Sequence, residues 1–277
     1  MASKPIQYRK IRFKTRVREM LADAVEQFGG EDCDPRFVEK FGDGSRTTFI
    51  LARTEIVDEE SFDIKTLQPV ERRRKQIRVC EFTLDFENGL LETTRRSDAQ
   101  VIIGFLHEVC PGQIEVEELE VNVPEIVLTL EKQNALKSIE QLSIKNWQVK
   151  EGRLKSANLA PESAGVAREL LKDESLEFTR SALALGQPVF NAKLKVSHDC
   201  TFSIATEDPE PIEQMVRTLI RQFAFTARDK EDGNAPTVEL APTVEGAEEP
   251  AVRAMTRSPR RRPAAGGGGA RGAKRAH

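Results

Sequence analysis

The chain has 277 residues, 39% hydrophobic and 31% charged, with a formal net charge of −3. Its longest apolar stretches, such as Val101 to Leu106, fall far short of the roughly 20 residues a membrane helix needs. Cys33, Cys80, Cys110 and Cys200 form no CxxC pair and have no His at zinc-finger spacing, so they read as buried thiols of a reducing, cytoplasmic compartment. No apolar signal region occupies residues 1–18, and no cofactor or metal is expected.

The near-neutral total hides a segregation of charge. Residues 1–18 hold seven Lys or Arg and residues 251–277 hold eight, neither with a carboxylate. The 232 residues between them carry 27 basic side chains against 45 acidic ones, a net of −18. Basic arms around an acidic body either seek a polyanion or fold back on their own surface.

From Ile6 the chain alternates, with Ile11, Phe13 and Val17 on one side and Arg12, Lys14 and Arg16 on the other, which predicts a strand. Glu19 to Phe28 has helical spacing and stops at Gly29–Gly30. Thr47 to Val57 reads as a strand, and Gln76 to Arg95 as a hairpin turning at Asn88–Gly89. A two-residue turn there sets Glu81 opposite Arg96, Phe82 opposite Arg95 and Asp85 opposite Glu92. Phe82, Leu84 and Phe86 then face the core, and Glu81, Thr83, Asp85 and Glu87 face water or a partner. Ser97 or Asp98 caps a helix running to Val109.

Ile114 to Val121 and the apolar run Ile126 to Leu130 add strands. The hairpin-then-helix order recurs with strands Leu142 to Val149 and Arg153 to Leu159 before a helix from Pro161 to Leu171. It recurs again with strands Val189 to Val196 and Thr201 to Ala205 before a helix from Pro209 to Phe225. Three strand–turn–strand–helix units predict an α+β class with antiparallel sheet and helices on it. The expected organisation is a globular body over residues 1–228, divisible near 112/113 into two subdomains. An acidic low-complexity linker (229–250) and a disordered Gly/Arg-rich tail (251–277) follow.

The candidate nucleic-acid-binding residues are the clustered cations. They are Arg12, Lys14 and Arg16 on the first strand, the run Arg72, Arg73, Arg74 and Lys75, and Arg260, Arg261, Arg262, Arg271, Lys274 and Arg275 in the tail. Such clusters neutralise phosphates without reading sequence. The best catalytic candidates are Asp58, Asp63 and Lys65, two carboxylates for metal ions and a Lys to orient water, although a chain this charged yields such a set by chance. Beside His198, Asp199 diverges along the backbone, and the glycine run 266–269 has no flanking strand and helix to make a phosphate loop. The expectation is therefore a non-enzymatic binding protein associated with nucleic acid through its basic termini. A protein-assembly or adaptor module is the first alternative and a metal-dependent nuclease the second. The partner is nucleic acid or a protein, not a membrane, and the oligomeric state is open.

Overall fold

β1 (Lys4–Phe13) lies at the centre of the protein because its two faces feed two different cores. The computed structural model describes residues 4–62, 69–149, 152–173 and 175–232. After β1 come α1 (Val17–Phe28), β2 (Arg36–Gly42), β3 (Arg46–Phe62), β4 (Pro69–Asp85), β5 (Leu90–Thr93) and α2 (Arg96–Val109). Then follow β6 (Ile114–Glu118), β7 (Glu120–Val121), α3 (Val123–Lys132), β8 (Leu136–Val149), β9 (Gly152–Leu159) and α4 (Ala164–Lys172). The described chain ends with β10 (Glu177–Leu185), β11 (Lys193–Ser197), β12 (Thr201–Ala205), α5 (Glu210–Phe223), β13 (Ala224–Phe225) and α6 (Ala227–Glu231). The class is α+β, and three hairpin-then-helix units are present: β4–β5–α2, β8–β9–α4 and β11–β12–α5.

The main sheet runs β2-β3-β4-β5-β1-β12-β11-β10-β8-β9, antiparallel throughout, with β6 as an additional partner of β1. Along one edge of β1, β12 pairs with Lys4–Gln7 and β6 then pairs with Arg9–Phe13. Backbone amides fix this arrangement. Tyr8 and Lys14 donate to Cys200 and Gln113 on that edge, while Ile11 donates to Gly89 on the β5 edge. The sheet therefore forks at residue 8.

Because successive side chains of a strand point to opposite faces, Tyr8 and Ile11 enter different cores. Ile11 packs with Phe37, Phe49, Phe82 and Leu91 under α1 and α2, where Leu21, Ile102 and Phe105 close the layer. Tyr8 packs with Leu183, Val196 and Phe202 under α3, α4 and α5. Register parity carries each set across its half of the sheet: Phe82 lies opposite Phe49, and Phe202 opposite Val196. The first-half helices therefore cover one face of the sheet, and the second-half helices cover the other. Each half keeps one face without a helix layer of its own.

Several expectations need correction. The run Ile126 to Leu130 is helix α3, not strand, because the Asn122 side chain accepts the Glu125 N–H and Pro124 sits in the first turn. α2 starts after Arg95 with no side-chain cap, and Asp98 instead takes Arg78. The β4–β5 register is two residues from the expected one: Phe82 faces Thr93, Thr83 faces Glu92 and Asp85 faces Leu90. A longer turn forms because Asp85 accepts both the backbone and the side-chain N–H of Asn88, at 2.9 and 2.6 Å. Gly89 closes it at φ 61°, where a Cβ would lie 2.8 Å from the Ile11 carbonyl oxygen. Thr83 and Asp85 are buried rather than facing water, and Thr83 shares a 2.8 Å hydroxyl bond with Thr48. Val17 begins α1, and the strand expected over Val189 to Val196 forms over Lys193–Ser197. β2 and β10 were not anticipated at all.

Between its neighbours β2 and β5, the β3–β4 hairpin is part of the sheet. Beyond them, Arg53–Phe62 and Pro69–Arg78 pair only with each other as a two-stranded ribbon. Among the described residues, no helix is long and apolar enough to cross a membrane.

Candidate nucleic-acid interface

The helix-free face of the second half is built from the residues that alternate with its core. On β11, Leu194 and Val196 are buried under the helices, so Lys193 and Lys195 project from the opposite face. The same parity places Thr201, Ser203 and Ala205 of β12, Arg180, Ala182 and Ala184 of β10, and Ser143 and Lys145 of β8 on that face. Short side chains keep the surface low, and four cations rise from it.

Two carboxylates share the face. Lys193 Nζ lies 2.8 Å from Glu140, and Glu177 pairs with Lys145 in register while accepting from Asn146 at 2.8 Å. Arg180 Nε donates to Ser197 Oγ at 3.0 Å, which orients the guanidinium without neutralising it. Lys195 is exposed and has no ion-pair partner among the described residues. The sequence signal for this site was the pattern Lys193–Leu194–Lys195–Val196, a strand with one charged face, but only its neighbours in the sheet show what lies beside it.

The cations singled out from the sequence sit elsewhere. Arg12 reaches Glu117 at 3.3 Å, Lys14 reaches the Gly112 carbonyl at 3.1 Å and Glu115 at 3.6 Å, and Arg16 reaches Glu19 at 2.9 Å. These charges thus meet carboxylates of the acidic body, and only Arg12 of the three lies on the first strand, because β1 ends at Phe13 and Arg16 stands at the start of α1. On the ribbon, Arg73 pairs with Asp58 at 3.3 Å, and Arg74 and Lys75 are exposed. The side chain of Arg72, all of Asp63 and Lys65, and the tail residues Arg260, Arg261, Arg262, Arg271, Lys274 and Arg275 lie outside the described residues. Arg96 pairs with Asp199 at 3.6 Å, and Glu81, its expected partner, takes Lys40 at 3.1 Å.

An ion network centred on the buried Glu92 joins the halves on the other face. Glu92 on β5 accepts from Arg46 on β3 and, at 3.3 Å, from Arg217 on α5. Glu213, also on α5, sits 3.1 Å from Arg217 and 3.9 Å from Arg46. Burial, then the nearby Glu92 charge, pushes the Tyr8 phenol far above its ordinary range. Cys80, Cys110 and Cys200 are buried, Cys33 is half-buried, and all four are free thiols. Burial alone raises Cys110 to about 11. No three His, Cys, Asp or Glu side chains converge as metal ligands among the described residues. No family model matches the chain, and no curated protein matches its sequence.

Proposed function

We propose that this protein is a non-enzymatic cytoplasmic binding protein that holds nucleic acid by its phosphates, using the open face of its second half-sheet together with the basic tail. The observation that supports it is the placement of Lys145, Arg180, Lys193 and Lys195 on one helix-free surface of small and hydroxyl side chains, where Glu140 and Glu177 also lie and Glu118, Glu120 and Asp199 line a pocket beside Lys145. Phosphate contacts of this kind supply affinity and register without base specificity. The acidic body holds Arg12 and Lys14 in ion pairs, so the N-terminal strand has a smaller part in this reading than its charge count suggests.

The test is a salt titration of binding to single- and double-stranded DNA and RNA by fluorescence anisotropy. The native chain is compared with a variant changing Lys145, Arg180, Lys193 and Lys195 to Ala, and with one changing the six named tail cations to Ala. Each lost duplex phosphate contact lowers the slope of log K against log salt by about 0.9, so the sheet variant, with four contacts removed, is expected to lose about 3.6 units of slope. No binding by the native chain at low salt, or an unchanged slope in the sheet variant, overturns the proposal.

A protein-assembly reading has its own support. On the open face of β3 and β4, Ile56, Ile77 and Val79 are 66%, 69% and 56% exposed, an apolar strip beside free ribbon edges. Weak salt dependence combined with a tightly co-purifying protein favours that reading instead.

A further inference from the structure

Beyond β2 and β5 the β3–β4 ribbon presents two unlike faces. Arg53, Glu55, Val57 and Glu59 share the parity of the buried Leu51, and on that side Arg78 reaches both Glu55 and Asp98 of α2. That face is polar and tied to the body. Ala52, Thr54, Ile56 and Asp58 take the opposite face, with Val79, Ile77, Lys75 and Arg73 as their cross-strand neighbours. Ile56, Ile77 and Val79 are each more than half exposed there. A two-stranded ribbon is marginal in water by itself, and an apolar face on one is a surface for another sheet to cover.

The two limbs also differ in charge. Over residues 53–59, β3 carries Glu55, Asp58 and Glu59 against Arg53, a net of −2. Over residues 73–79, β4 carries Arg73, Arg74, Lys75 and Arg78 with no carboxylate, a net of +4. Within one ribbon Asp58 and Arg73 pair at 3.3 Å with both side chains mostly exposed, a contact that contributes little by itself. An acidic limb beside a basic limb makes the ribbon complementary to a second copy of itself.

Charge and the apolar face together select one symmetric arrangement. Two-fold pairing edge to edge joins a limb to its own copy, acid against acid or base against base. Stacking the apolar faces about an axis across the ribbon also lays like limb on like limb. Stacking them about an axis along the ribbon lays β3 of each copy over β4 of the other. Each residue then meets the second copy's equivalent of its own cross-strand neighbour. Asp58 faces Arg73 of the second copy, Thr54 faces its Ile77, Ala52 its Val79, and Ile56 the aliphatic stem of its Lys75.

We propose that the ribbon is a dimerisation arm: two copies of this chain stack the faces bearing Ile56, Ile77 and Val79 about a two-fold axis along the ribbon, with Asp58 of each over Arg73 of the other. This rests on the protein-assembly reading, to which it gives a definite occupant, and not on the phosphate-binding one.

The experiment is sedimentation of the full chain, free of nucleic acid, from about 1 to about 100 μM, the range that a small interface requires. The native chain is expected to pass from monomer to dimer with no larger species. Ile77→Lys, at an exposed position, is expected to keep the native melting temperature and weaken the dimer at least about tenfold. Asp58→Arg and Arg73→Asp each set like charges across the axis, and each alone is expected to be monomeric. The first variant carries cations at both positions and the second carries carboxylates at both. An equal mixture therefore has two opposite-charge contacts across the axis, although neither chain regains its internal pair, and it is expected to dimerise. A mixture no more associated than its components, or no effect of Ile77→Lys, overturns the proposal. So do open-ended polymers, the product of β3 of one copy pairing edge-on with β4 of the next. A native chain that stays monomeric throughout overturns it too, and if that monomer holds another protein tightly the broader assembly reading still stands.

Discussion

Replacing Glu92 by Ala tests the ion network that ties α5 to the first half of the sheet. The Glu92 side chain is 5% exposed, and its arginine partners are 15% exposed at Arg217 and 28% at Arg46. Removing one member of a buried pair costs about 3–5 kcal/mol, because the remaining charge keeps its desolvation penalty. Here Arg46 loses its nearest carboxylate and Arg217 loses one of two, but both retain some water and Glu213 stays within 3.1 Å of Arg217 and 3.9 Å of Arg46. Those residual contacts place the expected cost at the low end, about 3 kcal/mol. Glu92→Gln keeps the shape and an acceptor and should cost less, about 1–2 kcal/mol. The assay is urea unfolding followed by the fluorescence of Trp147, the only Trp in the chain and a residue packed against the second core. A double-mutant cycle with Arg217→Ala should give a coupling of about 1–2 kcal/mol, the range for residues sharing one ion-pair network. A Glu92→Ala cost below about 0.5 kcal/mol, or additivity with Arg217→Ala within about 0.5 kcal/mol, would refute the reasoning.

Alkaline pH should act through Tyr8. Its folded-state pKa is raised by burial and by Glu92, so the associated stability is full below the unfolded value of about 10 and is lost as pH rises above it. As Tyr8 is the only Tyr, phenolate absorbance should appear together with unfolding rather than before it, and Tyr8→Phe should remove this part of the pH dependence. Phe37 is fully buried and touches Phe49, Phe82 and Phe105 with ring centroids 4.9–6.3 Å apart. Phe37→Ala should therefore cost about 3–5 kcal/mol by urea unfolding, and a loss under about 1 kcal/mol would contradict its place in the core. Thiol titration near neutral pH should find Cys33 reacting first in the native protein, with Cys80, Cys110 and Cys200 reacting only on unfolding. Rapid native labelling at more than one site would contradict their burial.

How much of this was legible in the chain depended on how local the signal was. α5 buries Ile212, Val216, Leu219, Ile220 and Phe223, a 3.6-residue period readable without any partner. Thr201–Ala205 alternates cleanly, and its structural bounds match the reading. The apolar run Ile126 to Leu130 carried no period long enough to separate strand from helix, and the decision lay upstream in the Asn122 cap. The position of the β4–β5 turn was visible in Asn88–Gly89, but its length was set by Asp85 binding Asn88, which moved every cross-strand pair by two residues. A two-residue shift preserves which face each side chain takes, so Phe82 and Leu84 stayed in the core while the one expected ion pair, Glu81 with Arg96, gave way to Glu81 with Lys40 and Arg96 with Asp199.

The amino-acid sequence by itself determined the α+β class, the hairpin-then-helix order and the separation of an acidic body from basic ends. These follow from periodicity, turn chemistry and composition, which act over a few residues or over whole segments. Only the tertiary structure decided that the two sets of helices lie on opposite faces of one sheet, because this depends on β1 sending Tyr8 and Ile11 into different cores. The same pairing brought Lys145, Arg180, Lys193 and Lys195 onto one surface, and it set Gln7, Arg9 and Asp199 around one pocket. Residues separated by up to 192 positions become neighbours there through strand pairing, which no local pattern encodes.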